Sequence, residues 1–349
     1  MSQDDEPEDL VAHGLAARRE YAVVRPEYEE LATKVASILR EALRKNELQP
    51  HSITNRAKDL DRFEEKASKP DPDEPDKPKY PDALTDIQDM AGVRVTTYFL
   101  SHIGIVDQII TEEFEVLERT DKSEALIKED RFGYQSVHFI VRLQAPRTQL
   151  TEYKKIASRV CEVQVRTILQ HAWAEIEHDI RYKSKIDIPP DIRRRFLNLA
   201  GLLEIADREF ETIQQEDERL RREAEEQIAA DNPEGVPITG PNLQLFLDKH
   251  MNPDARVSPW LYTFIARIAM AMGFKTLDEL VPVMGAFDEH FAASHQWRSR
   301  PSPPSVLECM LFQYAPDRYL ASHPWGNDAW FQEKYVRLAR LLAEKRGTD

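Results

Sequence analysis

The chain reads as an α+β protein: a mixed β-sheet flanked by helices, then a C-terminal all-α domain. Three observations point there. Short stretches at 91–99, 134–144 and 159–166 alternate apolar and polar residues with a period of two, the mark of half-buried strands. Long stretches around them repeat apolar residues at helical spacing. Beyond residue 241 the helical period persists, rich in Phe, Trp and Met, with no strand signal.

Taken in order, residues 1–19 are expected to be a disordered acidic tail opening with MSQDDEPEDL. Pro26 starts a helix over 26–46, in which Tyr28, Leu31, Val35, Ile38, Leu39 and Leu43 form one apolar stripe. A second helix is expected from Ser52 to Lys66. Residues 68–83 carry five prolines and should be an extended loop, because proline removes a backbone donor. Strand 91–99, helix 102–113, strands 114–121, 134–144 and 159–166, and a loop near 122–132 complete a mixed α/β block. From Thr167 to Lys183 the residues Ile168, Leu169, Ala172, Trp173, Ile176 and Ile180 stripe a long helix, and a helical pattern continues through 190–229. Pro and Gly at 233, 235, 237, 240 and 241 read as a linker, 231–241. The expected division is therefore 20–230, linker, and an accessory domain, 242–349.

A formal charge of −15 argues against broad binding to nucleic acid, which needs clustered cations. The two cysteines, Cys161 and Cys309, lack metal-ligand spacing and call for no disulfide scaffold, so a reduced, cytoplasmic setting is expected. No apolar run approaches the roughly 20 residues of a membrane span, and no membrane partner is expected.

Alternation in strand 159–166 turns the valines and Cys161 one way and Glu162, Gln164 and Arg166 the other. A central strand that buries three polar side chains should line a site. Tyr134, Ser136 and His138 share a face of another strand, and Arg94 stands opposite Val93 and Val95 shortly after Asp89. Phosphoryl or pyrophosphoryl transfer needs carboxylates for Mg²⁺, cations for phosphates and flat groups for bases. Asp89 and Glu162 supply the first, Arg56, Lys58 and Lys66 the second, Arg94 and Tyr134 the third. His171, Glu175 and His178 lie on one helical face and read as a hydrogen-bond network orienting strand 160–166.

The strings DMAGVRV (89–95), FGYQSVH (132–138) and CEVQVRTILQHAWAEIEHDIRYK (161–183) resemble the synthetase domain of the RelA/SpoT family, alarmone synthetases with a nucleotidyltransferase-like fold. The resemblance covers roughly residues 20–215. It implies a pyrophosphokinase that moves the β,γ-diphosphate of ATP to the 3′-hydroxyl of GDP or GTP, giving (p)ppGpp and AMP. By matching positions, Asp89 and Glu162 would hold Mg²⁺, with Glu162 also activating the attacking hydroxyl. Arg56 and Arg94 would sandwich adenine, and Lys58 and Lys66 would neutralise the triphosphate. Tyr134 would stack on the acceptor base, with His138, Gln164 and Arg166 near its sugar or phosphates.

Where family members that use GTP commonly have Lys-Pro-Asn before the Gly-Tyr, this chain has Asp130-Arg131-Phe132. The acceptor thus stays open among a guanosine nucleotide, an adenosine nucleotide and the tRNA 3′ end. A non-catalytic nucleotide sensor is the alternative of another class. No counterpart of the family's hydrolase half is visible upstream of residue 50, so synthesis without hydrolysis is expected. The accessory domain is expected to serve regulation, through a homo-oligomer or a protein partner.

Overall fold

A computed structural model describes residues 9–121, 136–183, 190–251, 253–254, 256–294 and 302–346. Two compact units divide the chain, residues 1–214 and 215–349. The division falls inside the helix Pro190–Ala229, ahead of the expected linker, because Ala224 and Ile228 belong to the second core.

The first unit is built on a five-stranded mixed sheet in the order β1-β2-β5-β4-β3. These strands are β1 (Ser52–Ala57), β2 (Ala91–Thr97), β3 (Phe114–Asp121), β4 (Val137–Leu143) and β5 (Cys161–Thr167). Only β2 and β5 run parallel, so the strand expected to be central, 159–166, sits in the middle of the sheet. Its alternation is the one read from sequence: Cys161, Val163 and Val165 are fully buried, and Glu162, Gln164 and Arg166 turn the other way. One face of the sheet carries Val93, Val95, Val163, Val165 and Phe139. It packs against helix α1 (Leu10–Lys45), through Leu31, Val35 and Leu39, and against the helix Leu100–Glu113, through Val106 and Ile110. Burying such a side chain contributes about 1.5–3 kcal/mol each, so this single-sided core anchors the sheet and leaves its polar face free for chemistry.

Three expectations need correction. Residues 10–19 are not a disordered tail: α1 begins at Leu10, with the Asp9 side chain accepting from the backbone N–H of Val11 and Ala12. Tertiary contact holds this segment, since Arg18 pairs with Glu64 (2.6 Å) and Asp61, and Tyr21 stacks on Phe63 at 4.3 Å. Pro26 consequently lies within α1 and does not open it.

Residues 52–57 are a strand, not the start of a helix. Antiparallel β1 pairs Arg56 with Gly92 and Thr54 with Arg94. Ser-Ile-Thr-Asn carries two β-branched residues and three poor helix formers, and Asp59 caps the shorter helix α2 (Leu60–Ala67). Arg56, Lys58 and Lys66 therefore sit on a strand, a turn and a helix.

The proline-rich loop folds back on itself. Pro70 and Pro78 face each other in an isolated antiparallel bridge whose donors come from neighbours: Asp71 N–H to Lys77 O (2.9 Å) and Lys79 N–H to Lys69 O (2.8 Å).

The second unit is helical among its described residues. Its core gathers Phe246, Leu247, Tyr262, Ile265, Ile268, Leu307, Phe312, Tyr319 and Phe331 from the helices Gly240–His250, Pro259–Ala271, Pro303–Tyr314, Pro316–Ser322 and Ala329–Arg346. Among the described residues no helix is long and apolar enough to cross a membrane.

Candidate active site

Strand register brings the polar residues to one face. Gly92 of β2 is in register with Glu162 of β5, Arg94 with Gln164, and Thr96 with Arg166. From the other side His138 of β4 pairs with Gln164. Arg56 on β1 flanks Gly92. A Cβ at Gly92 would meet nothing within 4 Å, so an open gap lies over this glycine, with Arg56, Arg94 and Glu162 around it.

Asp89 lies just ahead of β2. Its Oδ2 accepts from Lys58 Nζ at 2.7 Å and Lys66 Nζ at 3.1 Å. Burial works against its charge, but these two ammonium groups outweigh it and hold the carboxyl below its ordinary value. The second oxygen, Oδ1, is buried with no hydrogen-bond partner among the described residues. Lys58 is fixed through its backbone. Its N–H donates to Met90 O (2.8 Å), and its carbonyl accepts from the Tyr21 hydroxyl (3.0 Å) and Arg25 Nε (3.2 Å). Lys66, in the last turn of α2, lies 5.6 Å from the centre of the Tyr80 ring.

Glu162 is held from both sides. Nδ1 of His138 is 2.8 Å from Oε1, and Gln164 Nε2 donates to Oε2 at 2.9 Å. Nε2 of His138 in turn meets Ser136 Oγ at 2.8 Å. Burial favours the neutral acid and the charge of Asp89 does too, yet the His138 and Gln164 contacts prevail and keep Glu162 below the usual carboxylate range.

The helix Ile168–Lys183 closes the far end of this face. Thr167 and Gln170 cap it reciprocally, Thr167 N–H donating to Gln170 Oε1 (2.8 Å) and Gln170 N–H to Thr167 Oγ1 (3.1 Å). That fixes the helix directly onto the end of β5 and carries Glu175 over the sheet. Its Oε1 accepts from Arg94 Nη1 at 2.9 Å and Arg166 Nη2 at 3.3 Å, with His171 Nδ1 at 3.7 Å. Burial, then the neighbouring Arg94, pushes the Arg166 guanidinium down to about 10. Of the network expected for this helical face, Glu175 and His171 take part here, and Glu175 joins the helix to two strands.

The structure brings together Asp89, Glu162, Lys58, Lys66, Arg94, His138, Gln164 and Arg166, with Arg56 at the exposed edge. Tyr134 and the segment 130–132 lie outside the described residues. Sequence reasoning misses Tyr21 and Arg25, which secure Lys58 from α1; both lie between the expected tail, 1–19, and the helix expected from Pro26, and no local signal marks so distant a partner. Among the described residues there is no group of three or more His, Cys, Asp or Glu side chains that would cage a metal by themselves. The unpartnered Oδ1 of Asp89, just ahead of β2, and the carboxylate of Glu162, in register with Gly92 on β5, nonetheless suit a hard cation whose other ligands are water and phosphate.

Residues 55–187 match the family region described as "Region found in RelA / SpoT proteins". Over 131 residues the chain is 30% identical to GTP pyrophosphokinase YwaC of Bacillus subtilis (strain 168), covering 37% of this chain and 59% of that protein. Over 132 residues it is 28% identical to GTP pyrophosphokinase YjbM of the same organism, again covering 37% and 59%. The matched stretch thus spans less than two thirds of these relatives. Among solved structures, small alarmone synthetase 1 from Bacillus subtilis aligns with 22% identity and a TM-score of 0.46, covering 58% of this chain and 99% of that one. The same enzyme bound to its product pppGpp aligns with 27% identity and a TM-score of 0.45, covering 57% and 96%.

Proposed function

With a RelA/SpoT region at residues 55–187 as the premise, we propose that the chain is an ATP-dependent pyrophosphokinase that transfers the β,γ-diphosphate of ATP to the 3′-hydroxyl of GDP or GTP. The observation that carries this reading is a pair of carboxylates, Asp89 held by Lys58 and Lys66 at the head of β2 and Glu162 held by His138 and Gln164 on β5, with Arg94 on the polar face that Glu162 shares.

Adenine fits the gap above Gly92, where it has no Cβ to meet and two guanidinium groups, Arg56 and Arg94, to stack on. Lys58 and Lys66, which pair with Asp89, offer their ammonium groups to the phosphates when nucleotide enters. Asp89 Oδ1 and Glu162 would hold Mg²⁺, which supplies charge neutralisation on the transferring diphosphate. Glu162, ionised and oriented by His138 and Gln164, takes the proton of the attacking 3′-hydroxyl. Positioning and neutralisation do the remaining work, as in-line transfer between anions requires.

The test offers β-labelled ATP with Mg²⁺ to GDP, GTP, an adenosine nucleotide and tRNA in parallel. The expected result is AMP release with label in the guanosine products. Absence of AMP with every guanosine acceptor would refute the reading, and label confined to tRNA or adenosine nucleotide would reassign the acceptor. Wild-type cellular effect retained in Glu162→Gln would replace the enzyme reading with that of a sensor.

A further inference from the structure

Glu175 has no part in the scheme above, yet it holds two of its guanidinium groups. Arg94 and Arg166 rise from the adjacent parallel strands β2 and β5, and both donate to one oxygen of Glu175. Arg166 is almost wholly buried, its side chain 7% exposed, and the Nε atoms of both arginines are buried without a hydrogen-bond partner among the described residues. Two neighbouring cations with so few acceptors repel each other, and Glu175 is the carboxylate that reconciles them. It reaches them from the helix Ile168–Lys183, which the reciprocal Thr167–Gln170 cap seats on β5, so its reach is set by the fold even though its own side chain is half exposed. A guanidinium tethered by one Nη has its plane restrained, whereas an untethered Arg94, 28% exposed, would sample many rotamers before stacking.

We propose that Glu175 is a positioning residue for ATP: it tethers Arg94 beside the gap over Gly92, so that the adenine site is formed before nucleotide arrives. This rests on the pyrophosphokinase reading and goes beyond it by assigning a residue that touches neither nucleotide.

The experiment measures binding of a non-hydrolysable ATP analogue with Mg²⁺ by calorimetry to wild type, Glu175→Gln, Glu175→Asp, Arg94→Ala and the double variant Glu175→Gln/Arg94→Ala, with thermal melts of each. Glu175→Gln, which keeps the shape and removes the charge, is expected to weaken binding roughly five- to tenfold, the usual scale for one charge-assisted contact. Its kcat at saturating ATP should stay within about twofold of wild type, the loss falling on KM. Glu175→Asp, which keeps the charge, should recover most of the affinity and is the folded reference for the series. In the Arg94→Ala background the Glu175→Gln change should cost nothing further, an outcome that a merely structural role would not produce. Wild-type affinity in Glu175→Gln, or an undiminished loss on top of Arg94→Ala, overturns the assignment alone. A wild type that binds no adenine nucleotide overturns the nucleotide reading and this inference with it.

Discussion

Replacing Glu162 by Gln tests the chemistry most directly, because the surroundings tolerate the amide. In the parent, Oε1 faces His138 Nδ1 at 2.8 Å and Oε2 accepts from Gln164 Nε2 at 2.9 Å. The amide oxygen can keep the Gln164 contact while its NH₂ donates to His138 Nδ1, provided the ring carries its proton on Nε2 and donates to Ser136 Oγ, 2.8 Å away. All three contacts survive, so the fold should too, and what disappears is the negative charge and the proton acceptor. General-base catalysis by a positioned side chain contributes ~10²–10⁴-fold, about 3–5 kcal/mol of barrier, and kcat should fall by that factor. The assay is AMP release under saturating ATP, Mg²⁺ and GDP, with a thermal melt of each protein. In the wild type the Glu162 carboxyl is held below the ordinary value, so the base is ionised above that depressed pKa and activity is lost only as pH falls through it. The acid limb should therefore lie below the usual glutamate range in wild type and be absent from the residual activity of Glu162→Gln. A folded Glu162→Gln within tenfold of wild-type kcat would refute the role given to this carboxylate.

Other consequences follow from the same contacts. Lys58→Met and Lys66→Met each leave Asp89 with one ammonium partner, so KM for ATP should rise by about tenfold or more in steady-state kinetics; unchanged KM in both would remove them from the phosphate site. Tyr21→Phe deletes the hydroxyl that holds the Lys58 carbonyl in a buried setting and should cost about 1 kcal/mol of stability, read by denaturant titration, with KM for ATP rising alongside; a KM that does not move would show that Lys58 needs no such support. A Cβ at Gly14 would collide with Ser68 Oγ and lie 3.1 Å from the Glu64 carbonyl, so Gly14→Val should lower the melting temperature despite the better helix propensity of valine, and an unshifted melt would argue against the packing of α1 on α2. Cys161 is fully buried and its thiol is pushed well up by that burial, while Cys309 is pushed up to about 12; neither should react with a disulfide reagent at pH 8 until the protein unfolds, and rapid labelling of the native protein would contradict this.

The sheet was legible because alternation is unambiguous in a strand buried on one face. Cys161, Val163 and Val165 against Glu162, Gln164 and Arg166 admit one reading, and the structure carries it. β1 was misread because Ser52–Ala57 lies at the sheet's edge and is exposed at three consecutive positions, so no apolar alternation marks it and the helix of α2 seems to begin early. The first turns of α1 were misread for a related reason: their helicity is secured by partners far along the chain, such as Phe63 for Tyr21 and Glu64 for Arg18. Local composition cannot report contacts of that range. Glu175 was noticed as one member of a helical face, but its partners became visible only once register placed Arg94 and Arg166 beneath it.

Charge accounting ties the site to the whole molecule. The chain carries a formal −15, yet around this face the described residues named above are Arg56, Lys58, Lys66, Arg94 and Arg166 against Asp89, Glu162 and Glu175. A strongly acidic exterior repels a nucleotide at long range, so attraction must come from groups it meets inside the site, within about one Debye length. Four of those cations are already engaged, two on Asp89 and two on Glu175. Pairing of this kind is what allows like charges to be packed side by side without unfolding the face that bears them. On the pyrophosphokinase reading, nucleotide binding would be an exchange of partners: phosphates would take the lysines from Asp89, and the carboxylate so released would be free for the cation that accompanies the nucleotide. A site arranged in this way favours a metal-bound nucleotide over the bare anion, because the bare anion would leave Asp89 buried, charged and without a partner.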